Sequence, residues 1–291
     1  MLYLILAALS WSIVGVLVKI ASLQFDPFTI TFARFAVGAG ALAFFLAAVR
    51  RKLWPEAANR WIWIGALGKL ANYLFENAGV AIGYAYGNVI VPPIQTIVLL
   101  LIALLIYKER LPVRRWIAAA IVFAGLTAIT LNGRSIGGAL AAEGWVTLLF
   151  VLSAVGAALH FLSMKKLLDA MNDVSANYSV FLWASLLAAL PLPFTAEWEP
   201  GFVPGAWLSA AALGLITGVS FIMLSKGLRV VNFTIAVIVT NLASFFTVIW
   251  AWLLLGEPIT GHIVAGAGAV VFGMVLLNWQ GKAVPREEQG T

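Results

Sequence analysis

Residues 109–125 read ERLPVRRWIAAAIVFAG, and 148 positions later residues 257–273 read EPITGHIVAGAGAVVFG. Glu109 falls on Glu257 and Gly125 on Gly273, and further along Asn132-Gly133 falls on Gln280-Gly281. Upstream, the same shift sets Ile90-Val91 on Ile238-Val239 and Gly79 on Gly227. Similarity at one long period means one structural unit made twice. The units are 1–133 and 134–281, followed by a short polar tail at 282–291 that is expected in the cytoplasm.

Working outward from this motif, each unit divides into five apolar stretches. Of the 291 residues 63% are hydrophobic and 10% charged, whereas a soluble domain carries roughly 25% charged residues. A water-facing surface cannot be made from so few, so the chain is expected to span a membrane. Stretches of about 20 apolar residues occur at 2–22, 28–49, 61–83, 86–106, 115–132, 144–164, 176–194, 205–225, 234–255 and 262–280. Turn signals mark the joints, among them Asp26-Pro27, Asn132-Gly133 and Gly256-Glu257-Pro258. The expected fold is therefore an all-α integral membrane protein of ten transmembrane helices. The first stretch lacks a basic leader and runs on past Trp11, so it reads as a retained helix.

An odd number of spans per unit sets the second unit upside down relative to the first. Charge agrees with this inverted arrangement. Fourteen Lys and Arg residues, including Arg50, Arg51, Lys52, Lys108, Arg114 and Lys226, fall in loops on one face, against Lys19 and Arg134 on the other. Positive residues collect on the cytoplasmic side, so both termini are expected there, in a bacterial-type cytoplasmic (inner) membrane. The net charge of +6 is thus explained by topology, and no nucleic-acid partner is expected. Inverted repeats are characteristic of secondary transporters, whose two halves rock about a central site.

The proline-marked start at Pro92-Pro93, the apolar span that follows, Glu109, and the helix carrying Gly125 together resemble the repeat of the drug/metabolite transporter superfamily in its ten-span, EamA-type form. Thr240-Asn241 replaces the prolines in the second copy. The resemblance covers nearly the whole chain. It implies a small-solute transporter with no enzymatic activity, in which spans five and ten hold the halves together. Leu9-Ser10-Trp11-Ser12 and the aromatic richness resemble the aromatic amino-acid exporters of that superfamily. Export of aromatic and other neutral amino acids is the expectation; other metabolites, cationic drugs and an intramembrane enzyme are the alternatives.

Polar residues inside spans are costly and mark candidate sites. Glu76 is the one acidic residue deep in a span; it shares a helix face with Tyr73 and Lys69. Glu76 suits a substrate ammonium or a coupling proton, and Lys19 or Arg34 is its expected partner. Lys69, Pro92 and Pro93 are candidates for coupling or gating. Substrate contacts are expected from Trp11, Ser12 and Gly15 in span one, where an aromatic ring beside a glycine suits a stacking pocket. Tyr73, Glu76 and Asn77 in span three, Gln95 in span four, His160 in span six and Ser244 in span nine complete the set. His160 reads equally as a histidine bonded to a neighbouring helix. A cavity lined by spans one, three, four, six, eight and nine follows. With no cysteine and two histidines, no metal site is expected, nor any cofactor. Membrane lipid and a small-molecule substrate are the expected partners, with a monomer as the working expectation. In span ten, Gly261, Ala265, Ala269 and Gly273 form a stripe of small residues suited to close helix packing.

Overall fold

A computed structural model describes residues 2–105, 108, 113–133, 135–197, 199–230, 243 and 246–278. The described residues form helices joined by short loops, with no strand. In chain order these are α1 (Leu2–Ser12), α2 (Val14–Ala21), α3 (Pro27–Ala48) and α4 (Arg60–Ile82). A 3-10 helix (Ala85–Ile90) then runs into α5 (Val91–Leu105), followed by α6 (Val113–Leu131), α7 (Ile136–Leu167) and α8 (Asp173–Ala189). The short α9 (Leu192–Thr195), α10 (Pro204–Val230), α11 (Phe246–Leu255) and α12 (Gly261–Asn278) complete the chain.

Leu2–Ala21, Pro27–Ala48, Gly144–Leu167 and Pro204–Leu224 are long and apolar enough to cross a membrane. Shorter apolar helices accompany them. α4 has the length, at 23 residues, but not the composition, because one of its faces is polar. Large apolar side chains such as Phe44 and Phe272 are exposed on the outside of the bundle, as lipid contact requires.

Local signals set the helix ends. The Asp26 carboxylate accepts the amides of Phe28 at 2.8 Å and Thr29 at 3.1 Å, with Pro27 in the first turn, so α3 starts where the sequence places it. Asn59 and Asn172 cap α4 and α8 in the same way. The chain turns at Asn132 (φ 47°) and Gly133 (φ 78°), and again at Gly256 (φ 64°), in the left-handed region that glycine adopts without steric cost. Three expected spans differ in detail. Span one is two helices broken at Ile13. Span four begins as the 3-10 helix, which puts Pro92 and Pro93 in the first turn of α5, where a missing amide costs nothing. α7 begins earlier than residue 144 because the Ser135 hydroxyl accepts the Gly138 amide.

Loop contacts fix which helix ends lie together. Gln24 bonds the carbonyls of Glu199 and Gly201 and accepts the Val203 amide. Glu257 accepts amides at the start of the 3-10 helix, and Thr260 bonds Asn132. These loops follow every second span and form one face that is poor in positive charge. Lys226 lies over the rings of Tyr3 and Phe45 at the opposite, basic face.

α6 and α12 pack closely together. A Cβ built on Gly125 would come within 2.7 Å of the Gly266 carbonyl oxygen, and one on Gly266 within 2.6 Å of the Gly125 oxygen. The contact stripe on α12 is therefore Ile263, Gly266, Val270 and Gly273, which corrects the expected register. Gly261 has open space around it and Ala265 is exposed. Residues four apart precess by 40° per step on a helix of 3.6 residues per turn, so a strict four-residue stripe drifts off the interface.

Candidate functional site

α4 carries Lys69, Asn72, Tyr73, Glu76 and Asn77 on one stripe, and all five are buried. The alternating three- and one-residue steps keep them facing the bundle and away from lipid. Two glycines bring α7 against this helix. A Cβ on Gly68 would meet the Gly156 oxygen at 2.9 Å, and one on Gly156 would meet the Gly68 oxygen at 2.6 Å. At that separation the Asn72 amide donates to the Ser153 hydroxyl at 2.8 Å, and that hydroxyl donates to the Asn72 carbonyl at 2.9 Å.

Arg34 of α3 enters the same space. Its guanidinium lies 3.5 Å from the Tyr73 ring centroid, and Nη1 donates to Asn77 Oδ1 at 2.8 Å. Asn77 in turn donates to the Thr31 hydroxyl at 2.8 Å. The Lys69 ammonium donates to Asn72 Oδ1 at 2.9 Å and lies 4.2 Å from the Tyr73 centroid and 5.1 Å from that of Phe221. Glu76 accepts the Asn88 amide in a long 3.4 Å contact. Among the described residues no carboxylate forms an ion pair with Arg34 or Lys69.

Aromatic rings wall this cluster. Phe35 stacks on Tyr73 at 5.0 Å, Phe181 meets Phe221 edge-on at 5.3 Å, and Trp11 lies 5.6 Å from Phe221. The His160 ring is 5.9 Å from Phe221, with Nδ1 3.3 Å from the Gly65 carbonyl oxygen. A carbonyl only accepts, so Nδ1 is the donor in this contact, which leaves the other ring nitrogen, Nε2. That atom is buried and has no partner among the described residues.

The structure thus brings together Trp11, Lys69, Tyr73, Glu76, Asn77 and His160. Others lie apart. Ser12 accepts the Trp250 indole N–H at 3.0 Å, tying the break in span one to α11. Gly15 is a close-packing position and leaves no gap for a ring: a Cβ there would sit 2.4 Å from the Ala85 oxygen. Gln95 is half-buried on α5. Ser244 lies outside the described residues. Two expectations for Glu76 are corrected. Arg34 bonds Asn77, and Lys19 bonds the carbonyls of Val80, Ala81 and Gly83 at 2.7–3.1 Å, closing the end of α4. Spans two and seven reach the cluster through Arg34 and Phe181. Sequence reasoning passed over Asn72, whose three-residue step from Lys69 was the available signal, and Phe221.

At the face poor in positive charge, the turn from α4 to the 3-10 helix is held from both sides. Lys19 binds its carbonyls, and the Glu257 carboxylate accepts the amides of Ala85 at 2.7 Å and Tyr86 at 3.3 Å. Burial pushes the Glu257 carboxyl above its ordinary value; the two amides and the Lys19 charge partly offset this.

Repeated helices, lipid-facing apolar surfaces and a buried charged cluster between the repeats define a polytopic membrane protein of the transporter class. The chain belongs to the EamA-like transporter family, which it matches twice, over residues 1–131 and 144–279. The second match restates the repeat found in the sequence. No curated protein matches the chain. A solved structure, described only as a crystal structure of a protein, shares the fold with a TM-score of 0.68 at 18% identity, over 95% of this chain and 96% of that one.

Proposed function

We propose that this chain is a secondary exporter of neutral, chiefly aromatic, amino acids, working by alternating access about the α4 cluster. Buried charge walled by aromatic rings between the two repeats is the observation that carries the reading. An amino acid needs opposite charges for its head group and apolar rings for its side chain, and Lys69, Arg34, Glu76, Phe181, Phe221 and Trp11 supply these. α4 packs on α7 and α8 while α10 packs on α3 and α1. The cluster therefore lies where the helices of the two repeats face each other, as alternating access requires. The charge distribution supports placing the basic face and both termini in the cytoplasm of a bacterial-type membrane.

Purified protein in liposomes tests this. Labelled phenylalanine and tryptophan should enter saturably, compete with each other and exceed entry into empty liposomes. No excess entry by folded protein would remove the amino-acid assignment, and flux of cationic drugs in its place would establish the alternative cargo.

A further inference from the structure

We propose that Arg34 and Lys69 form a carboxylate-binding subsite, so that cargo is recognised first by an anionic head and only then by its ammonium. The inference deepens the transport site proposed above and rests on that reading for the identity of the cargo, though not for the subsite itself.

Three observations converge on it. First, charge within the bundle is unbalanced. Arg34 and Lys69 are 2% and 7% exposed, and Glu76 is the one buried carboxylate near them among the described residues. Glu257 is committed to backbone amides at the face poor in positive charge. An uncompensated cation in a low-dielectric interior is costly, and an incoming anion removes that cost.

Second, the guanidinium is fixed with one edge unused. Nη1 is held by Asn77 and the ring of Tyr73 lies under the plane. Nε is buried without a partner, and the hydrogen bond from Nη1 to Asn77 is the one that the guanidinium makes among the described residues. The Nε–Nη2 edge is a two-donor fork whose spacing matches the two oxygens of a carboxylate.

Third, Lys69 shares the Tyr73 ring with Arg34 and uses one of its three donors on Asn72. Both cations thus approach the same ring, Arg34 at 3.5 Å and Lys69 at 4.2 Å from its centroid. Glu76, two turns beyond Lys69 on α4, is left for the ammonium, and the aromatic wall for the side chain.

Thermal melting of the full-length protein in detergent, with three ligands sharing one ring, tests the subsite. 3-Phenylpropionate carries the carboxylate alone, phenylethylamine the ammonium alone, and phenylalanine both. Phenylpropionate and phenylalanine should raise Tm, and phenylethylamine should not. Arg34→Gln should abolish the phenylpropionate shift while Arg34→Lys retains part of it. If Arg34→Gln does not fold, the wild-type series alone decides. Equal protection by phenylpropionate and phenylethylamine, or protection by the amine alone, overturns the subsite. Protection by phenylpropionate without phenylalanine flux in liposomes upholds the subsite and overturns the amino-acid cargo. Phenylalanine flux inhibited equally by the acid and the amine does the reverse.

Discussion

The two copies of the repeat share a plan but not a chemistry. Shifting by 148 residues sets Arg34 on Leu182, Lys69 on Thr217, Tyr73 on Phe221, Glu76 on Leu224 and Ser12 on His160. The first copy supplies charge, and the second answers with aromatic rings, hydroxyls and one imidazole. The copies meet where these differences lie, for Lys69 lies over Phe221 and the Tyr73 hydroxyl is 3.4 Å from that of Thr217. Duplication explains the two-copy scaffold. A binding site for an asymmetric molecule needs the symmetry broken, and substitution at matched positions of α4 and α10 breaks it. Away from the cluster, in the α6–α12 pair, the symmetry is kept: Gly125 falls on Gly273, and both are close-packed.

The largest effect should fall on that symmetric contact. Gly266→Leu forces a side chain into the Gly125 backbone and is expected to cost roughly 3 kcal/mol, seen as loss of monodisperse protein on size-exclusion chromatography. Gly268→Leu, at a position with open space around it, should fold normally. Next come the charges. Lys69→Gln should lower phenylalanine flux on the order of 10–100-fold, about 1.4 kcal/mol per tenfold, while Thr217→Val at the matched position lowers it about twofold, reflecting one weak interhelical hydrogen bond. Equal losses from the two would erase the distinction between copies.

A smaller effect is expected from the aromatic wall. Phe221→Ala should raise KM for tryptophan more than for alanine, and Phe221→Tyr should leave both nearly unchanged. The smallest concerns the clamp at the face poor in positive charge. The folded protein holds the Glu257 carboxyl above its ordinary value, so its protonated form is favoured by folding. That contribution to stability is full below the ordinary carboxylate pKa and is lost as pH rises through the elevated value. Tm measured across that window should fall slightly with pH in the wild type, and Glu257→Gln should flatten the slope.

Much of this was legible in sequence because the signals are local. Apolar runs, Asp26-Pro27, Asn132-Gly133 and Gly256 act through their own backbone, and the positions of helices and turns follow. The face of α4 was also legible, since Lys69, Tyr73 and Glu76 lie on it by helical geometry alone. Partners across helices were not. Lys19 and Arg34 stood equally close to Glu76 in sequence reasoning, yet tertiary packing gives Lys19 three carbonyls and Arg34 the Asn77 amide. The break at Ile13 carries no proline or glycine at its position, and the stripe on α12 depends on an interhelical register that composition does not encode.

Saturation kinetics of labelled phenylalanine uptake by wild-type and Glu76→Gln protein in liposomes, across pH, test the central claim most directly. The account predicts saturable wild-type uptake competed by tryptophan, and at least a tenfold loss in the variant with unchanged Tm. Glu76→Gln protein that transports like wild type at every pH would contradict it, because the one carboxylate of the buried cluster among the described residues would then take no part in transport.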